Sequence, residues 1–274
     1  MRITTLIENS PGEHHALRCE HGLSFCVERD GKKILFDTGQ SGAFLENAAH
    51  LGIDLSDVAF VVLSHGHYDH SGGLRALAGM TRSFELVVGP GFFREKYGYG
   101  KSGCSFLGND FDEHFLSESG IRYSVVQEEV REVVPGVSAL SGFPRIHDAE
   151  RINPRFVLRT PDGFEPDAFE DEILLAVETS RGLVVLLGCS HPGVRNMLDA
   201  VRERMKKPIY AVLGGTHLVE ADESGVESAV RYFGENGIGR IGVSHCTGET
   251  AMARLRAANG GFFHNVTGSS FFVE

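Results

Sequence analysis

Four side chains that can bind a metal ion fall within six consecutive positions of this sequence. His65, His67, Asp69 and His70 stand in the segment LSHGHYDHSGGL, residues 63–74. Neutral imidazoles and carboxylates are ligands that zinc, iron and manganese accept. A solvated turn that is merely rich in histidine is the alternative, and this particular spacing argues against it. The segment therefore predicts a metal site.

The residues on either side of this segment indicate where it lies in the fold. The apolar run Val58–Leu63 is typical of a buried strand, and the Ser-Gly-Gly at 71–73 is typical of a turn that opens into a helix. The candidate ligands would thus occupy a loop at the carboxyl end of a strand. Open α/β sheets bind their ligands at such ends.

The last hundred residues repeat one pattern three times: an apolar run, a loop led by Gly or Ser, and a helix. The runs span residues 183–187, 208–213 and 240–243. Each following loop carries one histidine, and in chain order these are His191, His217 and His245. A catalytic zinc takes about three protein ligands, so two metals need about six. The three later histidines are the candidates that would complete the set.

Length and composition limit the class of protein. The chain has 274 residues, of which 42% are hydrophobic and 23% charged, as expected for one large α/β domain. No linker or low-complexity tract interrupts it, so we predict a single domain over residues 1–274. The net charge of -11 argues against a broad nucleic-acid-binding surface. A small-molecule substrate is the expected partner, and self-association into a homo-oligomer stays open.

The cysteines and the apolar segments indicate the compartment. Five cysteines are scattered without a C-x-x-C pair, which favours reduced thiols. The sequence has no recognisable signal peptide and no apolar stretch long enough to span a membrane. We therefore predict a cytoplasmic protein without a membrane partner.

Residues 89–120 differ from the rest of the chain. They are rich in Gly and aromatic residues and have no clear periodicity, which is typical of a lid or binding loop. Phe93, Arg94 and Tyr97 are the candidate substrate contacts, with the aromatic rings stacking on a flat ring of the substrate. For the basic residues Arg94, Lys96 and Lys101, contact with a phosphate and a solvated loop face are both open interpretations.

The segment SHGHYDHSGGL resembles the H-x-H-x-D-H signature of the metallo-β-lactamase superfamily, and LFDTG at 35–39 resembles the strand and turn that precede it there. Further blocks resemble the subgroup of 7,8-dihydropterin-6-methyl-4-(β-ribofuranosyl)aminobenzene-5′-phosphate synthase. They are HGLS at 21–24, Asp171-Glu172, GCSHPG at 188–193, GGTHL at 214–218 and SHCTG at 244–248. The resemblance covers nearly the whole chain. It implies an α/β fold, a four-layer αββα sandwich with mixed sheets and a dinuclear metal site at one edge.

The resemblance also implies roles for individual residues. His65 and His67 match ligands of a first metal, Asp69 and His70 match ligands of a second, and His245 matches the terminal histidine ligand. Cys189 stands where many members carry an Asp that bridges the two metals, and His191 is the candidate replacement for that ligand. The residues expected next to the metals or the substrate are His217, Asp37, Cys189 and His21, with Asp37 orienting a ligating histidine.

Together these features predict a hydrolase with two divalent metal ions, zinc first and iron or manganese as alternatives. Metal-bound hydroxide would be the nucleophile, Asp69 would position it, and His70 would help to hold the second metal. The substrate would be small and either phosphorylated or pterin-like. Three alternatives stay open: a synthase of the ribofuranosylaminobenzene-phosphate class, a di-iron oxidoreductase, and a metal-binding sensor without catalysis.

Overall fold

The structure is a computed structural model that describes residues 1–101 and 103–274. In its first half the elements are β1 Arg2–Ile7, β2 Ser24–Arg29, β3 Lys32–Phe36, α1 Ala43–His50, β4 Phe60–Val62, α2 Tyr68–Ser71, α3 Leu74–Met80, β5 Glu85–Val88, β6 Lys96–Gly100, β7 Gly103–Phe106, α4 Glu113–Ser119, β8 Arg122–Val125, β9 Val130–Val134 and β10 Val137–Leu140. In its second half they are β11 Phe156–Thr160, β12 Gly163–Pro166, β13 Leu174–Thr179, β14 Gly182–Leu187, α5 Val194–Met205, β15 Ile209–Gly215, α6 Glu223–Glu235, β16 Arg240–Ser244, α7 Glu249–Ala258 and β17 Ser270–Phe272. Two short 3₁₀ helices, Leu218–Glu220 and His245–Thr247, follow β15 and β16.

Two mixed sheets lie at the centre of the fold. The order of strands is β17-β1-β2-β3-β4-β5-β8 in the first sheet and β16-β15-β14-β13-β10-β9 in the second. Strands β3, β4, β5 and β8 run parallel, as do β14, β15 and β16. The carboxyl ends of these parallel strands therefore lie at one edge of each sheet.

Alternation of side chains along the strands builds the layers. On β3, Ile34 and Phe36 join the apolar core between the two sheets, whereas Leu35 faces the helices on the outer side of the first sheet. On β14, Leu186 joins the core between the sheets and Leu187 faces the outer helices of the second sheet. Successive side chains of a strand point to opposite faces. Both faces of each sheet are buried, and the predicted αββα sandwich is confirmed.

A third sheet was not expected from the sequence. Residues 89–120 are not a structureless stretch: they contain the hairpin β6–β7 and helix α4. Strand β6 pairs with β11, and together with β12 they form a four-stranded sheet of order β12-β11-β6-β7. The glycines of this segment hid the strand pattern, because β6 and β7 have three among nine residues and glycine weakens strand signals.

Strands β9 and β10 follow each other closely in the chain and pair with each other in antiparallel fashion. Pro135-Gly136 makes the turn, with Gly136 in the left-handed region at φ 73°, a conformation that glycine adopts without strain. Among the described residues, no helix is both long and apolar enough to cross a membrane.

Candidate metal centre

The loop that carries the four clustered candidates is held tightly against the first sheet. Ser64, at the end of β4, donates its backbone N–H and its hydroxyl to the two carboxylate oxygens of Asp37, at 2.7 and 2.8 Å. After the loop, a Cβ on Gly73 would lie 2.3 Å from the carbonyl oxygen of Thr38. Glycine is therefore required here, because the helix after the loop approaches the β3 turn closely.

His65, His67 and His191 form one group of side chains, called the first set below. His65 Nε2 lies 3.1 Å from His67 Nδ1, and the His191 ring centroid lies 5.0 and 5.1 Å from those of the other two. All three side chains are buried. In the described part of the chain, His67 Nε2 and His191 Nε2 are buried without a hydrogen-bond partner. A buried polar atom without a partner costs about 1–3 kcal/mol, and a bound metal would remove that cost.

Asp69, His70 and His245 form the adjacent group, called the second set. The Nε2 atoms of His70 and His245 are 3.2 Å apart, and Asp69 Oδ2 lies 3.4 Å from His245 Nε2. Asp69 Oδ2 is also 3.2 Å from Nε2 of His21, whose side chain is exposed at the rim. The second set therefore joins the clustered loop to the end of β16, as the chain pattern predicted.

Cys189 lies between the two sets. Its Sγ is 3.2 Å from His70 Nε2. The geometry allows it to share a metal with His65 and His191 on one side and with His70 and His245 on the other, since the ligand atoms of each trio lie within 4.8 Å of one another.

Hydrogen bonds to the outward-facing ring nitrogens orient three of the histidines so that their other nitrogens converge. His70 Nδ1 donates to Asp37 Oδ2 at 2.7 Å, and His245 Nδ1 donates to Asn9 Oδ1 at 2.8 Å. His65 Nδ1 lies 2.9 Å from Ser64 Oγ, whose proton goes to Asp37. Each of these three rings thus points Nε2 to the centre, as metal-ligating histidines do. The converging nitrogen, oxygen and sulfur atoms are a donor set that could hold metal.

Burial and neighbouring charges set the protonation of these groups. Burial lowers the pKa of His65, His67 and His191 well below the usual range, so these imidazoles are neutral. Burial also lowers the pKa of His245, to about 4, against the opposing effect of Asp69. Neutral imidazole is the form that binds metal.

The pKa values of Asp69 and His70, on the same loop as His65 and His67, are shifted towards the charged forms. Burial opposes ionisation of Asp69, but His70 and the hydrogen bonds from neighbouring histidines outweigh it and hold the Asp69 pKa well below its usual range. Burial likewise opposes protonation of His70, yet the carboxylates of Asp37 and Asp69 raise its pKa to about 9. The second set therefore contains an ion pair of Asp69 and His70, whereas the first set consists of neutral imidazoles.

Left-handed backbone concentrates around the centre. Seven non-glycine residues of the described chain have positive φ. Those at the centre or packed against it are Asp37, Phe169, Ser190, His217 and His245. Each such residue costs about 1–3 kcal/mol and persists only where its surroundings impose it. The concentration of such residues is typical of a functional site.

Glu172 holds the loop that follows β14, and sequence reasoning missed it. Its carboxylate accepts the backbone N–H groups of Cys189, Ser190 and His191 at 3.2, 2.5 and 3.0 Å. Burial raises the Glu172 pKa to about 8. The sequence feature that pointed to this role was the Asp171-Glu172 pair before β13, since adjacent carboxylates next to a buried strand need hydrogen-bond partners.

A cavity of about 370 Å³ adjoins the first set. Its walls include His191, His217, Phe156 and the irregular segment 149–154. The His217 ring centroid is 4.3 Å from that of His191, so His217 lies beside the first set in the wall of the cavity. This position suits contact with a substrate.

The candidates from residues 89–120 do not gather at the centre. Phe93 packs against Phe92, Phe111 and Tyr123, and Arg94 forms an ion pair with Glu165. Tyr97 packs against Phe106 and Phe164 on the third sheet. Among the described residues, none of these three contacts a side chain of either set. Lys96 meets neither solvent nor an open pocket, because it is buried between two carboxylates.

Comparison with known proteins agrees with this geometry. The family model described as "Metallo-beta-lactamase superfamily" matches residues 17–81. The chain is 30% identical, over 90% of its length and 88% of the relative, to 7,8-dihydropterin-6-methyl-4-(β-D-ribofuranosyl)-aminobenzene-5′-phosphate synthase of Methanocaldococcus jannaschii. The fold and the comparison together show that the chain belongs to the metallo-β-lactamase superfamily.

Two further similarities extend over the whole chain. It is 26% identical to the uncharacterized protein MJ0448 of the same archaeon, over 94% of both chains. The crystal structure of Tm1679, "a metal-dependent hydrolase of the beta-lactamase superfamily", superposes with a TM-score of 0.86 at 32% identity, covering 100% of this chain and 99% of that one. The predicted resemblance to the superfamily, and within it to the synthase subgroup, is confirmed.

Proposed function

We propose that this protein is a metal-dependent enzyme whose centre holds two divalent ions. The first set would bind one ion and the second set the other, with Cys189 between them. The observation that carries the proposal is the pair of buried, unpartnered nitrogens His67 Nε2 and His191 Nε2 beside a second set whose ligand atoms already converge. Zinc suits this mixture of nitrogen, oxygen and sulfur ligands, and iron or manganese are alternatives.

Bound metals would supply Lewis acidity and lower the pKa of water from about 16 to about 7. The chain's own groups would then do the positioning. Asp69, ionised and nine-tenths buried, presents a carboxylate that can accept a hydrogen bond from an attacking water and so position it. His217 can contact the substrate from the wall of the cavity.

The reaction we propose is hydrolysis of a small substrate. The cavity of about 370 Å³ falls within the usual range for small-molecule sites, about 300–1,000 Å³. The similarity to a protein described as a metal-dependent hydrolase, 32% identical along the whole chain, supports this reaction type. The described cysteines are all unpaired, which supports a reducing compartment such as the cytoplasm.

A second candidate is synthesis of the pterin compound that names the M. jannaschii relative. The 30% identity over 90% of the chain favours it. Such an enzyme would hold a flat pterin and a phosphorylated ribose in one site and would join two substrates without net hydrolysis. The same metal centre serves both candidates, so the reaction has to be decided by its products.

The test begins with the metal content of the purified protein, which we expect to be two ions per chain. The loaded protein is then assayed on phosphodiesters, lactones and thioesters, and in parallel for formation of the dihydropterin-ribofuranosylaminobenzene phosphate product. Turnover of one of the three esters supports the hydrolase, and formation of the pterin product supports the synthase. Redox turnover of an iron-loaded centre, or full loading without turnover, would replace both with an oxidoreductase or a sensor.

A further inference from the structure

A lysine is buried beneath the first set. Lys96, on β6 of the third sheet, is only 1% exposed. Its Nζ donates to Asp167 Oδ2 at 2.6 Å and to Asp171 Oδ1 at 2.9 Å, and both carboxylates are buried. A buried charge is tolerated only when it is paired and hydrogen-bonded. Lys96 therefore needs both carboxylates to remain buried as a cation. Each carboxylate also has one further hydrogen-bond partner.

Asp171 connects the lysine to the clustered loop. Its other oxygen, Oδ2, accepts the backbone N–H of Gly66 at 2.8 Å. Gly66 separates His65 from His67, and a Cβ at this position would lie 2.5 Å from the carbonyl oxygen of Phe92. The backbone between the two histidines is thus fixed from one side by a carboxylate and from the other by close packing.

Asp167 connects the same lysine to the third histidine. Its Oδ1 accepts the backbone N–H of Phe169 at 2.7 Å, and Lys96 Nζ lies 4.5 Å above the Phe169 ring. That ring stacks on His191, with centroids 3.8 Å apart and planes 14° apart. The lysine therefore reaches all three histidines of the first set through two carboxylates.

The second set is held from elsewhere. His70 bonds to Asp37, and His245 bonds to Asn9 through its ring and to Glu8 through its backbone N–H. Over residues 1–101 and 103–274, no hydrogen bond joins these anchoring groups to Lys96 or its two carboxylates. Asp37 contacts both sets, His70 directly and His65 through Ser64, whereas the hydrogen bonds of Lys96 and its two carboxylates lead to the first set.

We propose that Lys96 is a positioning residue for the first metal, acting through Asp171 on the His65–His67 loop and through Asp167 and Phe169 on His191. This inference rests on the proposed dinuclear centre. It makes the third sheet part of the metal site, since β6 supplies the cation. The expected signature is selective: loss of Lys96 weakens binding at the first set and leaves the second set unchanged.

The test is zinc binding by the full chain carrying Lys96→Met. Zinc content is measured across a series of chelator-buffered zinc concentrations, and anomalous diffraction at the zinc edge reports the occupancy of each position. We expect affinity at the first set to fall about 10–100-fold, as for other groups that orient metal ligands, with affinity at the second set unchanged. Should Lys96→Met fail to fold, Asp167→Ala tests the connection to His191 by itself, because it keeps the Lys96–Asp171 pair and removes the acceptor that holds Phe169. Zinc affinity at the first set should fall in this variant too, and an unchanged affinity would overturn that connection.

Two control variants distinguish a positioning role of Lys96 from general destabilisation of the fold. Asn9→Ala removes the partner of the His245 ring and should lower occupancy at the second set instead. Lys33→Met removes a Lys–Asp pair at the surface, with Asp57, and should leave both positions filled. Equal loss of zinc from both positions in Lys96→Met, or a lower melting temperature with zinc affinity intact, would overturn the inference. A wild-type chain that binds fewer than two zinc ions would overturn the dinuclear proposal and this inference with it.

Discussion

Cys189 is the residue that sets this chain apart at the scale of single side chains. Its thiol lies where the superfamily resemblance leads one to expect a bridging carboxylate, 3.2 Å from His70 Nε2 and within reach of His65 and His191. Burial and the adjacent Cys246 raise the pKa of the Cys189 thiol. The geometry nevertheless places the sulfur where a metal in either set would meet it, and thiolate is a strong zinc ligand.

Cys189→Ala is expected to reduce the zinc content from two ions per chain towards one, because one ligand is lost from the place where the sets meet. Cys189→Asp, which restores a carboxylate, should keep two. The measurement is elemental analysis of the purified variants, with the charge-transfer absorption of the cobalt-substituted protein as a second readout of sulfur ligation.

Cys246→Ser is the matched control for this prediction. Cys246 is the neighbouring thiol, donating to the backbone oxygen of Cys189 at 3.5 Å, and it belongs to neither set. It should leave zinc content and the cobalt spectrum unchanged. Two zinc ions in Cys189→Ala, together with an unaltered cobalt spectrum, would show that the sulfur is not a ligand.

Much of the centre was predictable at this scale. His65, His67, Asp69 and His70 lie together because they are neighbours on one loop. His191 and His245 were predicted from the rhythm of the last three strands, and the parallel pairing of β14, β15 and β16 brings them to that loop. The hydrogen bonds by which Asn9 and Lys96 hold these groups were not predictable, because a side chain's hydrogen-bond partner depends on contacts between distant residues.

At the scale of elements, the irregular segment 145–154 between β10 and β11 closes one side of the cavity. It is docked on helix α5. Asn196 Oδ1 accepts the backbone N–H groups of Ile146 and His147, and the Glu150 carboxylate accepts those of Arg195 and Asn196 at 2.9 and 3.0 Å. Glu150 thus satisfies free N–H groups in the first turn of α5, where a negative charge is favourable.

Glu150→Ala should release this segment and destabilise the protein by about 1 kcal/mol, the typical effect of losing a helix-capping acceptor. Tryptic cleavage after Arg151 should become faster, and KM for a turned-over substrate should change more than kcat. Thermal unfolding measures the loss of stability, and limited proteolysis measures the cleavage after Arg151.

The control is Glu129→Ala, since Glu129 is paired with Arg204 at the surface with its side chain 72% exposed. If Glu150→Ala is cleaved no faster than that control, the segment is held by other contacts.

Element prediction failed where the local signal was weak. Residues 89–120, predicted as a lid or binding loop, showed no strand signal, but β6 and β7 are strands because they pair with each other and β6 also pairs with β11. That pairing joins residues about sixty positions apart. No local pattern of Gly and aromatic residues encodes it, since strand formation depends on its neighbours in the sheet.

At the scale of the whole molecule, the core between the two sheets holds the strand ends in register. Leu186 on β14 is fully buried there. Leu186→Ala is expected to lower the free energy of unfolding by about 2–5 kcal/mol, because the cavity it leaves cannot fully collapse. Urea unfolding followed by circular dichroism measures the change.

Val219→Ala is the control at this scale, with Val219 61% exposed. Surface substitutions of this kind stay within about 0.5 kcal/mol. If Leu186→Ala unfolds at the same urea concentration as Val219→Ala, the stability of the two sheets does not depend on close packing at this position.

The sequence by itself determined the superfamily, the αββα layers and the loop that carries four candidate ligands. The loop follows from a short-range pattern, an apolar run with histidines at fixed spacing, and the αββα layers are what the resemblance to the superfamily implied. Only the tertiary structure decided that Cys189 lies between the two sets, that the third sheet exists, and that a buried lysine underlies the first set. Each of these features depends on contacts between residues that are far apart in the chain. The role of a buried charge or thiol is determined by the groups that the fold places next to it.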